Sequence, residues 1–260
     1  MITTFDVNNF CDYVRAVQEI NERVSCHESE LWYRGVSDQS YELLSGIQWR
    51  QVEEIKHEGM IDEFLTSSPL YDSTVKTLGA FEQYALMQHY GLPTRLLDWS
   101  ISPLIALFFA LEKDEENENR VVWCMNHLQL NNINTGSEQS IFTHSVSDEK
   151  QFDLSSYLPK TLSNVTAKTG KNAIAIKMQF TNKRISSQQG TFTLHGHNSK
   201  KIDDYFVDGN CKEIFKIEIN GSEARRELME TLLKIGIAED TVYQDLNSLS
   251  KRILREYTPE

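Results

Sequence analysis

The chain has 260 residues, 40% of them hydrophobic and 25% charged, which is enough to bury a sizeable core as one large domain or two small ones. Asp and Glu outnumber Lys and Arg by 38 to 26, and a net charge of -12 repels phosphate backbones and argues against general nucleic-acid coating. With 12 Gly, 5 Pro and 10% aromatic residues, the composition excludes collagen-like, low-complexity and disordered chains.

The most apolar run, Ile101 to Leu111, is far shorter than the roughly 20 residues a membrane span requires, and the N-terminus lacks a basic-then-apolar leader. Cys11, Cys26, Cys124 and Cys211 form no Cys-x-x-Cys pair. Reduced thiols, no metal site, no membrane and a cytoplasmic location are the expectations.

In chain order, Asn8 is placed to cap a helix carrying Phe10, Tyr13, Val14, Val17 and Ile20 at helical spacing. Leu31-Trp32-Tyr33 reads as a strand running into a loop at Arg34-Gly35. Helical spacing returns over 53–64 and 77–90, and Gly91-Leu92-Pro93 stops the second of these. Ser102-Pro103 starts a further helix, apolar on every side and therefore buried, with an acidic tail from Glu112 to Glu118. Strands are predicted at 121–125, 173–178, 190–194 and 213–219. Residues 126–170 read as a long irregular insertion with one short helix near 152–162, and helices close the chain at 223–235 and 240–257.

The pattern is α+β: a helical N-terminal third, a mixed or antiparallel sheet core and C-terminal helices. One domain over 1–260 is expected, divided into a motif-bearing part at about 25–115, a sheet-rich part at about 120–220 and terminal helices at about 222–257.

No phosphate loop, His-Glu-x-x-His helix or Gly-x-Ser-x-Gly elbow is present. His195 and His197 would share a face on a strand, but no third ligand stands nearby in sequence, so a polar turn is the reading. Two islands are unusual. In the first, Tyr33-Arg34-Gly35, a strand-end Arg either pairs with a carboxylate or grips an anionic ligand, and Gly35 allows close approach. In the second, residues 83–103, polar Gln88, His89, Arg95 and Asp98 sit among core-like residues and must hydrogen-bond to each other or to a ligand. Arg95 and Asp98 are expected to form one polar cluster.

Tyr33-Arg34-Gly35, the run from Gln88 to Ser100 (QHYGLPTRLLDWS), and Ser102-Pro103 leading to Phe109-Ala110 together resemble the FRG-domain family, named for its aromatic-Arg-Gly motif. Residues 184–192 and 245–249 also look like that family. Its members are mostly bacterial and phage proteins. A weaker resemblance is to ADP-ribosyltransferases of the Arg-Ser-Glu type. In these an aromatic-Arg-Gly strand grips NAD phosphates, a second strand leads into a helix ending Phe-Ala, and a third carries the catalytic Glu.

That second resemblance implies an ADP-ribosyltransferase-like fold. It implies NAD as substrate, contacts from Tyr33, Arg34, Gly35, His89, Arg95, Trp99 and Ser100, and chemistry at Arg34, Asp98 and Gln189. Tyr33 or Trp99 is expected to stack on the ligand. Gln188 or Gln189 stands where the Glu belongs, so Asp98 is the carboxylate left to face the developing cation. The implied function is an NAD-cleaving or ADP-ribosyl-transferring effector, such as a toxin or an anti-phage defence protein, with a protein or nucleic-acid acceptor. The alternative is a catalytically silent module that binds a nucleotide or nucleic acid.

Overall fold

The computed structural model describes residues 2–24, 31–113, 119–143, 154–163, 170–178 and 183–258. Eight strands make one mixed sheet: β1 (Thr3–Val7), β2 (Leu31–Val36), β3 (Leu96–Ser100), β4 (Arg120–Asn126), β5 (Ile141–Phe142), β6 (Ile174–Lys177), β7 (Gly190–Leu194) and β8 (Ile214–Ile219). The spatial order is β1-β8-β4-β2-β3-β7-β6-β5. The outermost pairs, β1 with β8 and β5 with β6, are parallel, and the pairs between them are antiparallel.

The α+β expectation holds, with helices in the N-terminal part, a mixed sheet and helices at the end. The N-terminal third is mostly helical with β2 where a strand was expected, but it also holds β1, and β3 follows it at Leu96–Ser100; neither of these two strands was expected. β1 was hidden because its alternation spans only five residues, and β3 because its Asp and Trp read as a site island rather than as a strand. The cap of the first helix, Phe10–Arg23, is Asn9 rather than Asn8; its side chain accepts from the Asp12 N–H. The terminal helical stretch breaks at Gln244 (φ +51°) into Glu239–Tyr243 and Leu246–Tyr257, the latter capped by Asp245.

Part of the expected insertion is regular: His127–Thr135 is a helix stopped by Gly136 at φ +75°. A short 3-10 turn at Leu154–Tyr157 and a helix at Lys160–Ser163 fall where one helix was expected. β5 also falls in that stretch, while 144–153 and 164–169 lie outside the described residues, as do Cys26 and 114–118 of the acidic tail.

Strand alternation sends side chains to separate cores. Tyr33, Val122, Cys124, Ile217 and Ile219 pack against the helices Phe10–Arg23, Pro103–Leu111 and Ser222–Lys234. On the opposite face Trp32, Trp99, Trp123 and Met125 pack with Leu130 and Phe206. Towards the β6 end, Leu96, Ile174, Phe192 and Leu194 pack with Ile61, Tyr84 and Met87. The Pro103–Leu111 helix is buried as its composition requires: Ser102 accepts from the Ile105 N–H, and six of its nine residues are buried.

Gly35 fixes how near that helix lies. A Cβ built on Gly35 would stand 1.8 Å from the Ala106 carbonyl oxygen and 2.6 Å from the Ala110 nitrogen, both backbone atoms. Ala106 and Ala110 are four apart and share one helix face. The Gly of the motif therefore serves helix-on-strand packing.

Gly35→Ala is expected to destabilise the fold by about 2–3 kcal/mol or more, because backbone must move to admit the methyl. Urea denaturation measures this, and an unchanged midpoint would place the helix further from β2 than this geometry.

Candidate functional site

Among the described residues, β2 and β3 pair only where Tyr33 stands opposite Ser100. From there towards Val36 and Leu96 the two strands have no ladder, and the sheet is split. Unpaired strand carbonyls need a donor. Arg34 supplies one: its Nη1 donates to the Asp98 carbonyl oxygen at 2.7 Å, across the split. Its Nε is enclosed and has no hydrogen-bond partner. Burial lowers the guanidinium's pKa from its ordinary value, and the Asp98 carboxylate opposes that shift.

Over the split lies a cavity of about 310 Å³. Arg34, Asp98, His89, Gln188, Arg184 and Lys113 all line it. Gln88 and His89 come from the last turn of the helix Ala80–His89, Lys113 from just beyond the Pro103–Leu111 helix, and Arg184 and Gln188 from the helix Lys183–Ser187 and the turn after it. The Asp98 side chain is exposed in this cleft and accepts from Gln88 Nε2 at 2.8 Å, while Gln88 Oε1 accepts from the Thr94 hydroxyl. The Gln188 Nε2 amide is enclosed without a partner. Burial, then Arg184, lowers the pKa of His89, with Asp98 and Asp245 opposing, which favours a neutral imidazole at the rim.

The structure brings Arg34, Asp98 and His89 together with Tyr33, Gly35, Trp99 and Ser100 along this cavity, and leaves Arg95 and Gln189 out of its lining. Gln189 is exposed, at φ +47°, and its carbonyl accepts from the Ile101 N–H; Gln188 is the Gln that lines the cleft. Trp99 is 3% exposed, with its Nε1 donating to Thr193 Oγ1, and Tyr33 is also 3% exposed in the core. Neither ring is open for stacking, because strand alternation turns both into packed layers. Ser100 is buried and donates to the Gln188 carbonyl at 2.7 Å while accepting from the Ser102 N–H, so it ties β3 to β7 and to the helix start.

Arg95 and Asp98 do not form one cluster. On extended chain three residues span about 10 Å, so the spacing that would bring them together on a helix parts them here. Arg95 is buried, reaches Glu54 at 3.7 Å and leaves Nη1 without a partner. Beside it, the Tyr84 hydroxyl accepts from the Arg95 backbone N–H at 2.7 Å and lies 3.3 Å from His57 Nε2. The two candidate metal histidines also part: His195 is buried within 3.4 Å of the Thr193 hydroxyl, and His197 is exposed. Sequence reasoning missed Lys113 as a lining residue and gave Arg184 no role, since a single basic residue beyond a helix carries no local signal of what it faces.

Burial, reinforced by Arg95, pushes the His57 pKa down to about 4, and burial with Arg34 pushes His195 to about 3. Both are neutral when folded, whereas the unfolded chain protonates them near pH 6.5. Stability from these two groups is therefore complete above about pH 6.5 and lost as pH falls towards 4. Near pH 5 each contributes a slope of about 1.4 kcal/mol per pH unit. Denaturation of wild type and His57→Asn from pH 7 to 5 is expected to show the slope reduced by about one proton in the variant. Parallel curves would mean that His57 titrates when folded.

Three comparisons bear on the chain. Residues 29–119 match the family model described as FRG domain. No curated protein and no solved structure matches. The matched segment holds β2, β3, the helix Ala80–His89 and the helix Pro103–Leu111, and it does not extend to Arg184 and Gln188 on the cavity's other side.

Proposed function

We propose that the cleft over the split binds NAD and breaks its nicotinamide–ribose bond, in the manner of an ADP-ribosyltransferase-like fold. The observation that carries this is Arg34 at the split, with one guanidinium nitrogen committed to the Asp98 carbonyl and its enclosed Nε uncommitted. Arg34, Lys113 and Arg184 give an otherwise acidic molecule a local cationic wall, suited to a pyrophosphate. The enclosed Gln188 amide offers a second donor to a ligand oxygen.

In the reaction the C1′–N bond breaks with its electron pair leaving on nicotinamide, and positive charge grows on the ribose. The exposed Asp98 carboxylate, oriented by Gln88, stabilises that charge, since the other lining carboxylate, Glu112, accepts from the Tyr243 hydroxyl. A nucleophile, either water or a group on a macromolecule, then bonds to C1′ and loses its proton. Asp98 is not spent on Arg95, which leaves it available for this role. An effector that depletes NAD or modifies a target fits this chemistry.

A second reading has one observation in its favour. At the turn into β7 stand Gln188 and Gln189, neutral side chains that stabilise a cation poorly. On that reading the cleft holds a nucleotide without cleaving it.

Labelled NAD incubated with the protein and lysate separates the two. Wild type is expected to release nicotinamide. Arg34→Ala is expected to lose binding, and Asp98→Asn to bind but turn over about 100- to 1,000-fold more slowly. Because Asp98 is exposed, its replacement is expected to leave stability within about 0.5 kcal/mol. Nicotinamide release that persists in both variants would remove these residues from the mechanism, and binding without release would select the silent reading.

A further inference from the structure

We infer that a second lobe of the cleft is a nucleobase subsite, with Trp49 as the stacking surface for the base of a nucleotide whose phosphates lie at Arg34 and Lys113. This rests on the nucleotide reading of the first lobe and names what the other half of the ligand meets. The second lobe is a cavity of about 650 Å³, and Arg34, Asp98 and Lys113 line it as well as the first, so the two lobes meet at a wall that carries two cations. Trp49 and Arg50 line this lobe and not the first, and Tyr41 lines both.

Trp49 is set apart from the other tryptophans. Trp32, Trp99 and Trp123 are 0%, 3% and 5% exposed, whereas Trp49 is 58% exposed while lining a concavity. An indole left in water forgoes its burial, and a base, which presents an apolar face, is a fitting occupant. One face of the ring is covered by Arg50, which holds the indole in place and leaves the opposite face as the one for a base. The Arg50 guanidinium lies 4.0 Å from the Trp49 ring centroid and donates to the Gly46 carbonyl at 3.3 Å. The short helix Gly46–Trp49 is anchored to the strand entering β3, since the Ile47 N–H donates to the Thr94 carbonyl at 3.1 Å. Gly46 itself lies close against that segment: a Cβ there would stand 3.3 Å from the Pro93 Cα.

The tertiary structure therefore fixes an aromatic ring beside a cationic junction, the pairing of base platform and phosphate contact that nucleotides exploit. A long nucleic acid fits less well, because the molecule's charge of -12 repels successive phosphates. One base with one or two phosphates is the occupant this lobe suits.

Titration with ADP and, separately, with inorganic pyrophosphate tests this, read by calorimetry and by tryptophan fluorescence, since Trp49 is the one solvent-exposed indole of the four. ADP is expected to quench the fluorescence. Trp49→Ala is expected to weaken ADP roughly tenfold or more, to leave pyrophosphate affinity unchanged, and to be largely rescued by Trp49→Phe. ADP affinity equal in wild type and Trp49→Ala, or an equal loss for pyrophosphate, overturns the subsite. If Arg34→Ala abolishes both ligands while Trp49→Ala changes neither, the nucleotide reading stands and this subsite falls. If wild type binds neither ligand, both fall together.

Discussion

The hydrogen bond from Arg34 to the Asp98 carbonyl joins β2 and β3 where, among the described residues, their ladder stops. A ladder between β2 and β3 would satisfy the backbone groups of both strands, but the pairing stops at Tyr33 and Ser100. An arginine side chain takes over beyond that point, and it can do so because its planar fork carries more donors than one carbonyl consumes. The split persists without leaving the Asp98 carbonyl bare, and a cation is held inside the opening. The opening and the Arg34 cation inside it go with this substitution of side chain for strand, and Lys113 and Arg184 add charge from elements packed beside it.

The flanking packing keeps the opening in register. Gly35 lets the Pro103–Leu111 helix lie against β2 at backbone contact, and that helix delivers Glu112 and Lys113 to the cleft rim. On the other side the Tyr84 hydroxyl accepts from the Arg95 backbone, which ties the helix Ala80–His89 to the start of β3. The same helix ends at Gln88, whose amide orients Asp98. Polar groups that look in the sequence like one catalytic cluster thus divide into a brace, built on Arg95, Tyr84 and His57, and a cleft wall, built on Arg34, Gln88 and Asp98.

On the proposed nucleotide reading, an acidic protein with cations in its cleft selects for small anions over polymers. Long-range repulsion falls off within a Debye length of roughly 8–10 Å at ordinary ionic strength, so a short ligand inside the cleft senses Arg34, Lys113 and Arg184 more than the distant surface. A polymer must also lie along that surface and meets its net charge.

The sequence alone determined those features that depend on local pattern. The buried helix at Pro103–Leu111 was legible from its Ser-Pro start and all-round apolar body, and five strands were legible from runs of β-branched and aromatic residues. The prominence of Arg34 and Asp98 was legible from polar residues standing in apolar surroundings. The tertiary structure decided the rest. β1 and β3 are five-residue strands whose identity depends on the neighbours they pair with. Gly35 reads equally as a ligand approach or a helix contact until the helix is in place. Extended chain, not helix, separates Arg95 from Asp98, and a single left-handed residue turns Gln189 outward while Gln188 faces the cleft. Trp49 and Lys113 carry no local signal, because what a surface residue faces is set by chain folded against it from far along the sequence.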